Sequence, residues 1–375
     1  MKEGLKIDQL VQTVHARESM SADLLVKSED EMRVVPTPDG EQNDIMLVVL
    51  KSGENTLDRY QINENAHNQI SAKLGIPIKY YDRLRRDYPD LLSENVNRFF
   101  EKEPATRLLR TTDGRIRAFV SDRYKAMDNA PLLEAIKPIM DSDLEVTYLS
   151  NNVTDDYLHI KALFTGDELA HVATTARGKD RIIRPGFRLT NSETGNGSLK
   201  LEVFFFDSYC TNGCVFGKQD MFNLSKIHLG GRLSRDANMI VSRETQVSEW
   251  EYIANSFADG IRNISSPESV KSIHSRIEEA VYTKSLKKPG HAIDTMIKDL
   301  KINPEHRDEI LGVMHRDGDF SKFGFASAVT EMANSDSVSY TEACEIENIG
   351  GQIITLNNSQ WIRYANMEEP VEIAA

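Results

Sequence analysis

Arginines, one tyrosine and a set of glycine-rich loops are the residues whose spacing in this chain lends itself to chemistry. RIRAFVSDRYKAMDN (115–129) places Arg115, Arg117, Arg123 and Lys125 around one strand and its turn, with Phe119 and Tyr124 between them. RIIRPGFRLTNSETGNGS (181–198) adds Arg181, Arg184 and Arg188 ahead of a loop holding two glycines. SYCTNGCVFG (208–217) and HLGGRL (228–233) pair polar side chains with glycines that let a backbone come close to a ligand. Guanidinium groups neutralise phosphates, and aromatic rings stack bases at about 1–3 kcal/mol each, so these are the residue types that hold a single nucleic-acid strand. The expectation is one groove lined by Arg115, Arg117, Arg123, Lys125, Arg181, Arg184 and Arg188, with Tyr124 available to stack a base. Each part also has an ordinary structural use: Phe119 in the core, Tyr209 bonded to a carbonyl, and glycines satisfying turns.

Charge bears directly on this expectation, because the 375-residue chain carries a net −13. The distribution is uneven. Residues 1–60 hold 7 basic and 12 acidic groups, and residues 320–375 hold 2 and 8. Lys79 to Lys125 holds 12 basic against 8 acidic, and Arg177 to Asp236 holds 10 against 6. Phosphate contacts are local and screened over about 10 Å, so an acidic total leaves room for a basic groove within an acidic shell. The acidic ends, 1–60 and 320–375, are expected to lie away from any nucleic-acid path.

Other chemistry has less to stand on. Cys210 and Cys214 form a C-x-x-x-C and Cys344 lies far away, so a disulfide framework is not expected. A zinc site would need a second close pair or histidines at ligand spacing; His228 and His171 could be drawn in, but nothing in their spacing requires it. Reduced, buried thiols without zinc are the reading of choice. No Walker loop, G-x-S-x-G or H-E-x-x-H is present, and no cofactor or catalytic residue is expected. No apolar run approaches the roughly 20 residues that span a bilayer, and the N-terminus lacks the apolar stretch of a signal peptide. A cytoplasmic protein without membrane contact is expected.

The elements that must position these residues follow from periodicity. Residues 1–60 read as an N-terminal arm and strand hairpin, with apolar runs at Met32–Val35 and Ile45–Leu50. Asn63 can cap a helix that Gly75 ends, and a second helix starts at Ile78. ISAKLGIPIKYYDRLRR has the outline of a helix-turn-helix, and a helical hairpin capping a sheet fits equally well. Strands are expected at 115–120, 145–149, 157–164, 181–190 and 198–207, with a helix led by Pro131 after the first. Beyond them Val247, Trp250, Ile253, Ala254, Phe257 and Ile261 share one helix face. The expected fold is α+β: an antiparallel sheet with helices on one face at 60–245, and a helical C-terminal region with an acidic tail at 246–375.

Several ordered blocks resemble a known family. FVSDRYKAMDN, PGFRLTNSETGNGSL, SYCTNGCVFG and HLGGRL, with LGIPIKYYDRL before them and KFGFASAVTEMANS…SYTEACEIENIGGQII after them, look like the recurring blocks of the phage- and plasmid-encoded family named domain of unknown function 932. The resemblance covers about 70–355 and implies a mobile-element protein of the bacterial cytoplasm, working in DNA metabolism. The order of helix, basic strand, hairpins and long helix is also similar, by analogy of fold, to phage recombination annealers of the RecT, Red-beta and Rad type. Binding or annealing of single-stranded DNA, with a homo-oligomer as a compatible state, is therefore the leading expectation. A metal-dependent nuclease using Asp122, Asp128, Glu193, Asp207 and His228 is the enzymatic rival. An acidic protein-binding antagonist of host defence, acting as a DNA mimic, is the third reading.

Overall fold

Strand alternation and helix caps act where the sequence places them, and the result is two sheets rather than one. The computed structural model describes residues 4–38, 43–50, 57–142, 146–174, 178, 180–207, 212–215, 224–226 and 243–367. Helix α1 (Ile7–Ser19) leads into strands β1 (Ser21–Lys27), β2 (Met32–Pro36), β3 (Ile45–Leu50) and β4 (Leu57–Ile62). Helices α2 (Glu64–Lys73), α3 (Ile78–Asp87) and α4 (Pro89–Lys102) follow, then the hairpin of β5 (Thr106–Thr112) and β6 (Arg115–Ser121) around Asp113 and Gly114. Asn63 caps α2, its side chain accepting from the Ala66 amide at 2.9 Å.

These six strands pair in the order β1-β5-β6-β4-β3-β2, antiparallel except for the short parallel match of β4 with β6. The expected leading helix or arm is α1 and the hairpin is the β2–β3 pair, but β1 to β4 supply four of the six strands, so a boundary at 60 cuts through a sheet. The sheet cannot be flat. Six strands about 4.8 Å apart would separate β1 from β2 by roughly 24 Å. Residues 28–31, which join them, reach at most about 17 Å even when extended, and the Glu31 amide closes them into a turn on the Lys27 carbonyl. The sheet curls around its own core, in which Leu47, Ile62, Leu109, Ile116 and Phe119 meet Ile70, Tyr81, Leu92 and Val96 of the helices. Helix α4 lies along the β2 edge. The Asn97 side chain accepts from the Val34 amide and donates to its carbonyl, both at 2.8 Å, which gives an edge strand the partners it lacks.

The second sheet grows from α5 (Asn129–Ser142), β7 (Val146–Val153), β8 (Leu158–Phe164), β9 (His171–Thr174), β10 (Asp180–Asn191), β11 (Leu199–Asp207), β12 (Asn212–Val215) and β13 (Leu224–Lys226). Its strands run β12-β11-β10-β8-β7, with β9 on β10 and β13 on β11, all antiparallel. Helices α6 (Arg243–Ile264), α7 (Pro267–Val281), α8 (Pro289–Leu300), α9 (Arg307–Asp317), α10 (Lys322–Glu331), α11 (Tyr340–Ile354) and α12 (Asn358–Ala365) form the C-terminal region. The α+β class with a helical C-terminal region holds. The six-stranded sheet, four of whose strands start before residue 60, has helices on one face, whereas the seven-stranded sheet within 60–245 is covered on both rather than on one as expected. Ile160, Phe187, Leu189 and Val203 meet α1, α5 and α6 on one side, and α11 lies over the other. Of the aromatic run at 204–206, Phe204 and Phe205 are buried.

Candidate nucleic-acid interface

The eight expected site residues do not share one groove. Arg115 and Arg123 are exposed and Lys125 is partly so. Between Arg115 and Ala118 the strand bulges: Arg110 pairs with Ala118 and Thr111 with Ile116, which leaves Arg117 as the extra residue. Arg117 forms an ion pair with Glu193 at a site where both are largely covered. Tyr124 is partly buried and its hydroxyl donates to the Ser192 carbonyl at 3.3 Å, so it holds a loop rather than waiting for a base. Burial pushes that hydroxyl above the ordinary tyrosine range.

The three arginines of β10 belong to the other sheet. Arg181, only 1% exposed, donates to Asp207 at 2.8 Å and to Asp317 at 3.3 Å, and its guanidinium lies over the Phe323 ring. Arg188 is buried between Glu202 at 2.7 Å and the Cys344 carbonyl at 3.2 Å, with Asn348 also bonded. These two correct the sequence expectation. They lie under the C-terminal helices, where a cation must have fixed counter-charges, and no phosphate reaches them. Arg184 is part-exposed and donates to Asp167 at 3.0 Å.

Arg188 is the middle of a charged row that crosses the sheet, in register with Lys161 on β8 and Glu202 on β11. Glu347 of α11 closes it, bonded to Lys161 at 2.8 Å. Burial opposes the Lys161 charge, but Glu347 outweighs it and holds the ammonium above the usual lysine value. His159 stands in the next row, bonded to Thr190 at 3.2 Å. Burial, and after it Arg188 and Lys161, drives its pKa down to about 3. Burial likewise raises Tyr340 to about 12 and pushes the Cys344 thiol up. Cys214 and Cys344 are unbridged and buried, while Cys210, Tyr209, His228 and the loop 228–233 lie outside the described residues.

Where the two sheets meet, a cavity of about 150 Å³ is lined by Arg17, Asp23, Arg110, Arg117, Asp128 and Glu193. Arg110, only 3% exposed, donates to Asp23 at 2.9 Å, to the Glu193 carbonyl at 2.8 Å, and to Asp128. Glu193 also accepts from the Asn129 amide at the start of α5, at 2.7 Å. Cations and carboxylates are matched here, so the cavity offers a phosphate little net charge. Three of the acids named for a nuclease are spent in the same way: Asp128 and Glu193 answer Arg110 and Arg117, and Asp207 answers Arg181, while Asp122 is exposed. Among the described residues no group of three or more His, Cys, Asp or Glu is arranged to hold a metal ion.

A different basic surface stands open on the outer face of the curled sheet. Register places Arg33, Val48 and Arg59 side by side across β2, β3 and β4, and Val35, Met46, Gln61 and Arg115 in the next row. Arg33, Arg59 and Arg115 are exposed and make no ion pair among the described residues. Arg33 and Arg59 are two inter-strand spacings apart, about 10 Å. Leu57, 63% exposed, and Leu50, 39% exposed, continue the face, and none of its described outward positions on β2, β3 or β4 is a carboxylate. Val48 is nevertheless only 8% exposed, flanked by the two long arginine side chains.

Sequence reasoning missed Arg33 and Arg59, because the charge count averaged over residues 1–60. The signal lay in the alternation of MRVVP and LDRYQI, each of which puts its arginine opposite the buried positions. Arg110 carried no such signal, since its partners come from β1, the turn before α5 and the loop after β10. No protein-family model, curated protein or solved structure matches this chain.

Proposed function

We propose that this protein binds single-stranded nucleic acid across the outer face of the six-stranded sheet, without catalysing a reaction on it. The observation that carries the reading is the group Arg33, Arg59 and Arg115: three exposed guanidinium groups with no ion pair among the described residues, beside outward positions of β2, β3 and β4 that carry no carboxylate, in a chain of net charge −13. The exposed Leu50 and Leu57 supply apolar surface for bases, and no aromatic ring stands on the described part of that face, so phosphate contacts dominate and sequence preference is weak. The family-like blocks point the same way by context.

Fluorescence anisotropy with a labelled 20-nucleotide single strand tests it. Arg33→Ala and Arg59→Ala should each weaken binding several-fold at 50 mM salt, for all sequences alike. Unchanged affinity in the triple variant with Arg115→Ala defeats the proposal. No binding by the wild-type protein at low salt defeats it too, and leaves the acidic-antagonist reading in its place.

A further inference from the structure

Helices α2 and α3 are joined by only four residues, Leu74 to Pro77, and the turn is pinned from within. Gly75 has φ of +65°, the Ile76 amide donates to the Ser71 carbonyl at 2.9 Å, and the Ser71 hydroxyl donates back to the Ile76 carbonyl at 2.6 Å. A residue with a Cβ would be strained at that φ. Helix α3 buries only Tyr81 and Leu84, with the Tyr81 hydroxyl bonded to His67 of α2 at 3.0 Å and Arg85 tied to Glu64 at 3.0 Å. At 3.6 residues per turn, Lys79, Arg83 and Arg86 fall within an arc of about 60° opposite those buried side chains. All three are exposed. Arg86 is paired with the neighbouring Asp87, whereas Lys79 and Arg83 make no ion pair among the described residues. Ile78 (39% exposed), Tyr80 (50%), Tyr88 (51%) and Leu91 (42%) flank the ridge.

We infer that α2 and α3 form a helix-turn-helix that docks α3 on duplex DNA, at a second site distinct from the outer sheet face. The parts fit that occupant. A short glycine-containing turn presents the second helix, and a helix 10–12 Å across enters a major groove about 12 Å wide. The first turn of α3 leads with Ile78, Lys79 and Tyr80, which can reach base edges and thymine methyl groups, while Arg83 and Arg86 reach phosphates. The chain's net charge of −13 repels a duplex from its acidic surfaces, so the ridge orients it. A helix cut for a protein partner would not need the lysine and arginine at its centre.

The test uses the full chain with a mixed-sequence 20-base-pair duplex and a single strand of equal length, at 50 mM salt. Lys79→Ala with Arg83→Ala should weaken duplex binding about 10-fold and leave single-strand binding within two-fold, since both residues are exposed and outside the sheet face. The Lys79→Arg variant should keep duplex affinity. Arg33→Ala with Arg59→Ala should do the reverse, so failure here is separable from failure of the sheet-face reading. Duplex binding that is absent in the wild-type protein, or unchanged in the Lys79 and Arg83 variant, overturns the inference. So does a change of Tyr80 and Tyr88 to serine that alters self-association while duplex binding stays the same, since the face would then serve a protein partner.

Discussion

At the scale of single residues, charge in this protein is used in two opposite ways. Arg181, Arg188 and Lys161 are buried and answered by carboxylates, whereas Arg33, Arg59 and Arg115 stand in water with none. Burying a cation costs several kcal/mol, which its counter-charge must offset. Glu347→Gln should therefore destabilise the protein by about 3–5 kcal/mol, read from the urea midpoint, because it leaves Lys161 uncompensated at 0% exposure. Replacing Lys161 and Glu347 together by methionine should recover most of the loss. His159 gives the pH counterpart. Its folded pKa of about 3 lies far below the unfolded value near 6.5, so below pH 6.5 the unfolded chain takes up a proton that the folded one refuses. Stability from this residue is present above pH 6.5 and is lost as the pH falls from there to about 3. Between pH 7 and pH 5 the wild-type protein should lose about 2 kcal/mol more than His159→Gln, and equal slopes would show that the imidazole is protonated in the fold.

At the scale of elements, spacing rather than charge decides. Helix α11 closes over the charged row with Gly350 set against the side chains of Thr330 on α10 and Cys214 on β12. A Cβ on Gly350 would stand 2.3 Å from the Thr330 methyl and 3.0 Å from the Cys214 sulfur. Gly350→Ala should cost about 1–3 kcal/mol in a thermal or urea melt, as overpacking does, and should loosen the cover over Arg188 and Glu202. An unchanged melt would mean that α11 separates from α10 freely. Several elements were legible beforehand: the Asn63 cap, the Gly75 stop, the strands at 115, 157, 181 and 198, and the buried stripe of Ile253, Phe257 and Ile261. Strand β5 was not, although Asp-Gly between TRLLRTT and RIRAFVS is a hairpin signal. The bulge at Arg117 leaves no mark in the sequence, and neither does the ion pair with Glu193, 76 positions away, that occupies its guanidinium.

At the scale of the whole molecule, the curl of the first sheet makes one face a core and leaves the other open at β2, β3 and β4, while at β1 and β5 that outer face meets the loop after β10 through Asp23 and Arg110. The salt dependence of single-strand binding reports directly on this arrangement. Each phosphate contact contributes about 0.7 to the log–log slope, so three arginines predict a slope near −2, falling by about 0.7 for each one removed. A slope that stays near zero would mean that binding uses other groups. The net charge of −13 sets the background against which such a patch acts, because like charge over the acidic parts of the surface disfavours docking there.

Sequence alone determined what depends on neighbours along the chain: the α+β class, the helical C-terminal region and most strands, through alternation, caps and stops that act within a few residues. It also showed that basic groups are locally enriched in an acidic chain. Only the tertiary structure decided which of those groups meet water. Arg188 finds Cys344 and Asn348 more than 150 positions away, and Arg110 finds Asp23 and the Glu193 carbonyl 87 and 83 positions away. Ion pairing depends on distances of a few ångströms between atoms brought together by packing, and no count along the chain measures those. Arg33 and Arg59 show the converse, since they come from a segment that is acidic by count and stand among outward positions of β2, β3 and β4 that carry no acid.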